Sequence, residues 1–396
     1  MQRIEDVASA TGQELLKLQP ASRVKAGDTV AVTAGSRGIA DIALITRTVI
    51  KTLQNLEAKP FIIPAMGSHG GATAEGQAAV LAGYGITEAR MGVPIRSSME
   101  VVDMGTSPLG FPVHMDKHAA GADHIVLINR IKTHTRFSGR IESGLVKMLL
   151  VGLGKQPAAT IYHRATQEYS FDEIINDTVP ILLKKLPVLL GLAVIENARG
   201  EVAGLEAVLP DRLLEREPEL LEKAVSLTAK LPFNEIDLLV VDEMGKDISG
   251  TGIDTSIIGR KEHSNIKIKR IFVRDLTGKS DGNACGIGFA DFTTKRLVDK
   301  INIADTDVNC ITALRPEGAK IPPTCATDRE ALTQALDTLG LVKPEHARIV
   351  RIKSTRDLEE LSVSDAYTGE LNGRRDLETV SEAATMSFDT EGNLLP

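Results

Sequence analysis

Short runs rich in β-branched residues alternate with longer stretches of helical spacing along most of this chain. That alternation is the pattern of βα units wound around a largely parallel sheet. Asp28 to Thr33 reads as a buried strand, and Asp41 to Glu57 sets Ile42, Leu44, Ile45, Val49, Ile50 and Leu53 at helical spacing. Pro60 to Met66 reads as the next strand, running into a Gly-rich turn, Gly67 to Gly71, with a helix starting near Thr73 or Ala74. Met99 to Met104, His124 to Ile131 and Leu192 to Ile195 read as further strands. A helix over Glu215 to Leu231 is closed by Pro232, and a fresh strand opens at Ile236. Beyond that break the rhythm restarts with strand 236–242, Gly-rich loop 245–259, strand 268–274, a helix near 328–340 and strand 347–353. The expectation is two α/β domains with mainly parallel sheets, residues 1–232 and 233–396, and an active-site cleft between them. The polar last twenty or so residues are expected as an arm or as a segment packing back on the first domain. A length of 396 residues suits two domains.

Composition narrows the function. Hydrophobic residues make up 42% and charged residues 25%, ordinary globular usage, so disordered, collagen-like and coiled-coil chains are excluded. Lys and Arg number 46 against 53 Asp and Glu, a net charge of −7, with no long basic run, which argues against nucleic acid as the main partner. Aromatics are 3% and Trp is absent, so binding by stacked rings is not the expected mode. The three cysteines form no CxxC pair, which gives neither a disulfide framework nor a zinc ribbon and makes a reduced cytoplasm the default. The N-terminus lacks a signal peptide's apolar core. The most apolar stretch, Ile181 to Ile195, is interrupted by Lys184, Lys185 and Pro187 and is too short to span a bilayer.

The glycine motifs are easy to over-read. Gly152-Leu153-Gly154-Lys155-Gln156 resembles a phosphate loop, but Leu149 stands where that loop needs its first Gly and Gln156 where it needs Ser or Thr. Gly286-Ile287-Gly288 and Gly250-Thr251-Gly252 lack the third Gly of a dinucleotide fingerprint. The histidines say more. His69, in Gly67-Ser68-His69-Gly70-Gly71, lies at the carboxyl end of a predicted strand, where open α/β sheets bind ligands. His134, in Lys132-Thr133-His134-Thr135-Arg136, follows another strand end with cations beside it. His163 lies downstream of Lys147, whose neighbours Leu145, Val146, Met148 and Leu149 are apolar. Imidazoles near their working pKa together with a lysine suit proton transfer and a metal ligand. Each residue taken alone is also compatible with a bland role, a hydrogen-bonded loop His or a lysine with its head in water. Arg37, in Gly35-Ser36-Arg37-Gly38, follows a strand just before a helix, a position suited to clamping a carboxylate or phosphate.

In order and spacing, Arg37, His69, His134, Lys147 and His163 resemble the nickel-dependent lactate racemase family. Ser143-Gly144-Leu145-Val146-Lys147 is similar to that family's Ser-Gly-Gly-x-Lys stretch, and His163 follows sixteen residues after the lysine. The resemblance covers residues 28–170 well. It implies a racemase or epimerase of a 2-hydroxy acid that transfers hydride to a nickel-pincer nucleotide, a pyridinium-3-thioamide-5-thiocarboxylic acid mononucleotide. It further implies His69 and His134 as the acid/base pair, Lys147 with Ser36, Ser143 and Gly144 as cofactor-binding residues, and His163 as the nickel ligand. Arg37, Lys132 and Arg136 would hold the substrate carboxylate. Three departures matter. Ala34 replaces the family's loop Asp, Leu145 replaces the second Gly of the lysine motif, and thirteen residues separate His134 from Lys147, implying a longer loop. The room left by Ala34 predicts a substrate larger or more polar than lactate. The alternative is a non-catalytic homologue that binds a small anion without the cofactor. A metal-dependent hydrolase ranks third, since no HExxH or carboxylate-rich ligand set is present. The expected partner is a small molecule, with no nucleic acid and no membrane, and the oligomeric state is left open.

Overall fold

A computed structural model of the chain describes residues 2–36, 38–135, 138–261 and 264–395. The chain divides into two compact units, Met1–Thr228 and Ala229–Pro396. Unit 1 contains helix α1 (Val7–Lys17), strand β1 (Thr29–Ala34), helix α2 (Ile42–Gln54), strand β2 (Lys59–Pro64), helix α3 (Ala74–Gly83), strands β3 (Val101–Thr106), β4 (Pro112–Asp116) and β5 (His124–Arg130), helices α4 (Lys155–Ala165) and α5 (Phe171–Lys185), strands β6 (Val188–Glu196) and β7 (Val202–Val208), and helix α6 (Leu213–Leu227). Its sheet runs β2-β1-β5-β6-β7. The first four strands are parallel and β7 is antiparallel to β6.

Alternation along each strand explains why helices cover both faces. In β1, Val30 and Val32 join the core beneath α1 and α2, with Ile45, Val49 and Ile50, while Ala31 joins the opposite core with Phe61, Ile63, Ile125 and Leu127. Fully burying one Ile or Val side chain is worth about 1.5–3 kcal/mol, so these two stripes anchor the unit. The α5 helix opens with a capping box, Ser170 with Glu173. One predicted strand has a different setting. The 99–104 segment pairs as β3 only with β4, in a separate antiparallel ribbon, because a short return through Pro112 lets it pair locally.

Unit 2 is built on strands β8 (Glu235–Met244), β9 (Lys267–Leu276), β10 (Phe292–Thr294), β11 (Thr324–Cys325), β12 (Ile349–Ile352) and β13 (Leu361–Val363), with helices α7 (Ile303–Thr312) and α8 (Asp328–Asp337). The order is β11-β10-β9-β8-β12-β13, parallel except for β13. The end of the chain is tied into this unit: Leu394 is buried, its N–H donates to Asp328 Oδ2 at 2.9 Å, and Arg274 donates to its carbonyl at 2.7 Å. Both units are therefore α/β with mainly parallel sheets. Among the described residues no helix is long and apolar enough to cross a membrane.

Candidate active site

The order β2-β1-β5 places three parallel strand ends side by side, so the loops that follow them emerge at one edge of the sheet. Gly35 and Ser36 follow β1, His69 follows β2, and Lys132 and His134 follow β5. With neighbouring strands ~4.8 Å apart, the ends of β2 and β5 stand roughly 10 Å apart across β1.

The His69 loop is held by its own backbone and by one buried side chain. His69 N–H donates to Met66 O at 3.1 Å, and His69 Nδ1 lies 2.8 Å from the same carbonyl. A carbonyl only accepts, so in the neutral ring Nδ1 carries the proton and Nε2 the lone pair. Gln77 of α3, fully buried, donates from Nε2 to Gly67 O at 2.9 Å and to His69 O at 3.2 Å. Gly67 adopts φ 58°, and its N–H reaches Gly152 O at 3.2 Å, which fastens this loop to the segment leading into α4.

The second loop closes on itself. Lys132 and Ser143 exchange backbone hydrogen bonds at 2.9 and 3.3 Å, and His134 N–H donates to Glu142 Oε2 at 2.6 Å. Glu142 is buried, so its carboxylate fixes the backbone of His134 from inside the loop. At the end of β5, Asn129 Nδ2 donates to Gly144 O at 2.7 Å, linking this strand end to the turn that carries Lys147.

Lys147 is half-buried and ends a short helical turn, Leu145–Lys147, which continues as a π-turn over Met148–Gly152. The turn's start is capped by Glu217 of α6, whose Oε2 accepts from Val146 N–H at 2.9 Å and which also takes the N–H of Leu145. Glu217 has 1% exposure, and burial pushes its carboxyl up to about 8. A Cβ on Gly144 would lie 2.2 Å from Glu217 Oε1, so glycine is required there for the carboxyl to reach the turn. Met148 meets Gly35 in the same way: a Cβ at Gly35 would sit 3.1 Å from Met148 Cε. His163 is half-buried in the last turn of α4, beside a buried Tyr162 whose ring meets Phe111 edge-on at 5.8 Å.

The sequence-predicted residues Ser36, His69, Lys132, His134, Ser143, Gly144, Lys147 and His163 thus all belong to unit 1. The loops of the first six and the turn of Lys147 are linked through Asn129, Gly35, Gly67 and Gln77. Arg37 and Arg136 lie outside the described residues. Among the described residues no three His, Cys, Asp or Glu side chains converge as a metal set. Two surface concavities, one lined by Asp237, His346 and Arg348 and the other by Arg140, Glu215 and Glu219, include none of the predicted site residues.

Sequence reasoning missed Gln77, Glu142, Lys155 and Glu217. Glu217 had a signal: it falls on the apolar stripe of α6 with Leu213, Leu220, Leu221 and Ala224, where a carboxylate is out of place. Lys155 stands in the failed phosphate-loop motif, where nothing in its neighbours signals burial.

Residues 21–171 match the family described as the lactate racemase N-terminal domain. No curated protein matches the chain. Among solved structures, the fold is similar to that of the lactate racemase apoprotein from Thermoanaerobacterium thermosaccharolyticum, with a TM-score of 0.52 at 15% identity over 90% of this chain and 83% of that one. A protein from Thermotoga maritima aligns with a TM-score of 0.47 at 13% identity, over 90% of this chain and 99% of that one. The stretch that carries His69, His134, Lys147 and His163 is thus similar to the lactate racemase N-terminal domain, and the chain's fold to that of the lactate racemase apoprotein.

Proposed function

We propose that the chain is a racemase or epimerase of a 2-hydroxy acid that works with a nickel-pincer nucleotide. The observation that carries this reading is the convergence of the loops after β1, β2 and β5 at one sheet edge, with the Lys147 turn bonded to that edge through Asn129 and Gly144. The donor chemistry fits the cofactor. One lysine amine and one imidazole, both half-buried, suit a group that brings most of its own metal donors, and the described residues form no carboxylate cage for a hard cation. Lys147 would hold the cofactor, with Ser36, Ser143 and Gly144 around it, and His163 would supply the protein's nitrogen to nickel. When bound, the cofactor supplies a hydride acceptor.

The chain's own residues supply the proton chemistry. His69, with Nδ1 committed to Met66 O, uses Nε2 to take the substrate hydroxyl proton of one stereoisomer. His134 serves the other stereoisomer. Two bases on separate loops answer the requirement that inversion needs a proton acceptor and a proton donor for each enantiomer. Arg37, Lys132 and Arg136 are the cations that would hold the carboxylate. Ala34, in place of the family's loop Asp, removes a negative charge three residues before Arg37 in the sequence, which favours a hydroxy diacid or sugar acid over lactate. The partner is this small anion, with no role for nucleic acid or membrane, and the cytoplasm is the proposed location.

The test is intact mass and metal analysis of protein made in cells able to synthesise the cofactor, followed by a panel of single-enantiomer 2-hydroxy acids assayed for loss of optical purity. An added nucleotide, near-stoichiometric nickel and racemisation are expected. A chain that binds hydroxy acids yet carries neither nucleotide nor nickel would instead be the non-catalytic anion-binding homologue.

A further inference from the structure

We propose that Lys155 is a positioning residue that sets the orientation of the His69 loop through Gln77 and the carbonyl of Pro64. The proposal rests on the reading of His69 as an acid/base. Lys155 has no solvent exposure, and its ammonium meets three groups from three different segments: the carbonyl of Pro64 at the end of β2, Gln77 Oε1 at 3.2 Å, and Asp116 Oδ2 at 3.1 Å. Asp116 pairs with the ammonium through Oδ2, while its Oδ1 accepts from the N–H groups of His118 and Ala119. Burial lowers the pKa of the ammonium, and the charge of Asp116 opposes that shift.

An ammonium only donates, so Lys155 fixes which way the Gln77 amide points. Its oxygen must face inward, and its NH2 is then turned to Gly67 O and His69 O. Met66, the residue before Gly67 in the same loop, takes the ring Nδ1 of His69. A one-way series of donors and acceptors therefore runs from the buried ammonium to the loop that fixes the imidazole. The backbone at Lys155 points the same way: φ is 57°, a region that non-glycine residues seldom occupy and that is retained where the side chain is needed. A purely structural ion pair would balance Asp116 equally well without Gln77.

The experiment uses the full chain with labelled histidine and no cofactor, reading the ring nitrogen shifts of His69, assigned by loss of its signals in His69→Gln. Two variants separate the roles. Gln77→Leu cuts the relay and keeps the ion pair, and Lys155→Met combined with Asp116→Asn removes both charges while keeping the cap oxygen on His118 and Ala119. The neutral ring should be the Nδ1–H tautomer in the parent chain and a mixture of tautomers in both variants, each with a cooperative unfolding transition. In the holoenzyme kcat should fall about tenfold or more with KM little changed. If the double variant fails to fold, Gln77→Leu decides alone. Unchanged His69 shifts in a folded variant overturn the proposal. Because the tautomer is read without cofactor, loss of the Nδ1–H signal in a chain that racemises nothing would remove the catalytic role of His69 and leave Lys155 as the residue that orients its loop.

Discussion

Glu217 carries the largest consequence for pH. Burial pushes its carboxyl up to about 8, whereas an unfolded glutamate titrates near about 4.3. Between those values the folded chain holds a proton that the unfolded chain has lost, so stability falls as pH rises through this window and levels off above it. The group's contribution is therefore greatest below the ordinary carboxyl range. Glu217→Gln keeps an oxygen for the Leu145 and Val146 N–H groups and cannot ionise. Relative to the parent chain it should gain about 4 kcal/mol between pH 5 and pH 8.5, read by denaturant unfolding at both values. An equal difference at the two pH values would show that the proton belongs to another group. The two histidines make a separate prediction. His69→Ala and His134→Ala should each lower turnover by about 10²-fold or more with nickel and nucleotide content unchanged. Full activity in both directions from either variant would remove that histidine from the pair.

At the level of elements, the close approach of α3 to the His69 loop pits two effects against each other. Gly76 sits inside α3, where alanine is preferred by about 1 kcal/mol. A Cβ there, however, would lie 1.9 Å from Gly70 O and 2.8 Å from Thr73 Oγ1. Backbone cannot yield cheaply at that distance, so sterics win: Gly76→Ala should destabilise unit 1 by about 2 kcal/mol in thermal unfolding and loosen the His69 loop. A more stable variant would mean that helix and loop are not held this close. These distances also show what the sequence could and could not disclose. The strands at 28–33, 60–66 and 124–131 and the helix at 41–57 were legible to within a few residues because their apolar periods are strong and local, and with them the placement of His69 and His134 past strand ends. Gln77 was hidden because nothing near it in sequence reveals Gly67 O, ten residues back, as its acceptor, or Lys155, 78 residues on, as its donor. The β3–β4 ribbon escaped for the same reason, since pairing partners cannot be read from a strand's own composition. Glu217 was the exception, visible as a carboxylate on an apolar stripe.

For the whole chain, each unit encloses its own cores, and unit 2 adds a buried ionic network to its apolar ones. Asp328, fully buried at the start of α8, accepts from Arg274 at 2.6 Å, from Arg296 at 3.0 Å and from the backbone N–H of Leu394 at 2.9 Å. Arg274 also reaches Asp242 at 2.6 Å on the neighbouring strand β8, so one network joins β8, β9, α8 and the end of the chain. Removing one partner from a buried ionic network leaves the others uncompensated, which costs about 3–5 kcal/mol. Asp328→Ala is expected to cost that much within residues 229–396, because two arginines lose a partner and the Leu394 N–H loses its acceptor. Hydrogen exchange should show lost protection in Ile236 to Val241 and unchanged protection in Val30 to Ala34, with protease cleavage newly admitted between Phe388 and Leu395. Unaltered protection throughout the second unit would mean that its apolar core, and not this network, holds the C-terminal segment in place.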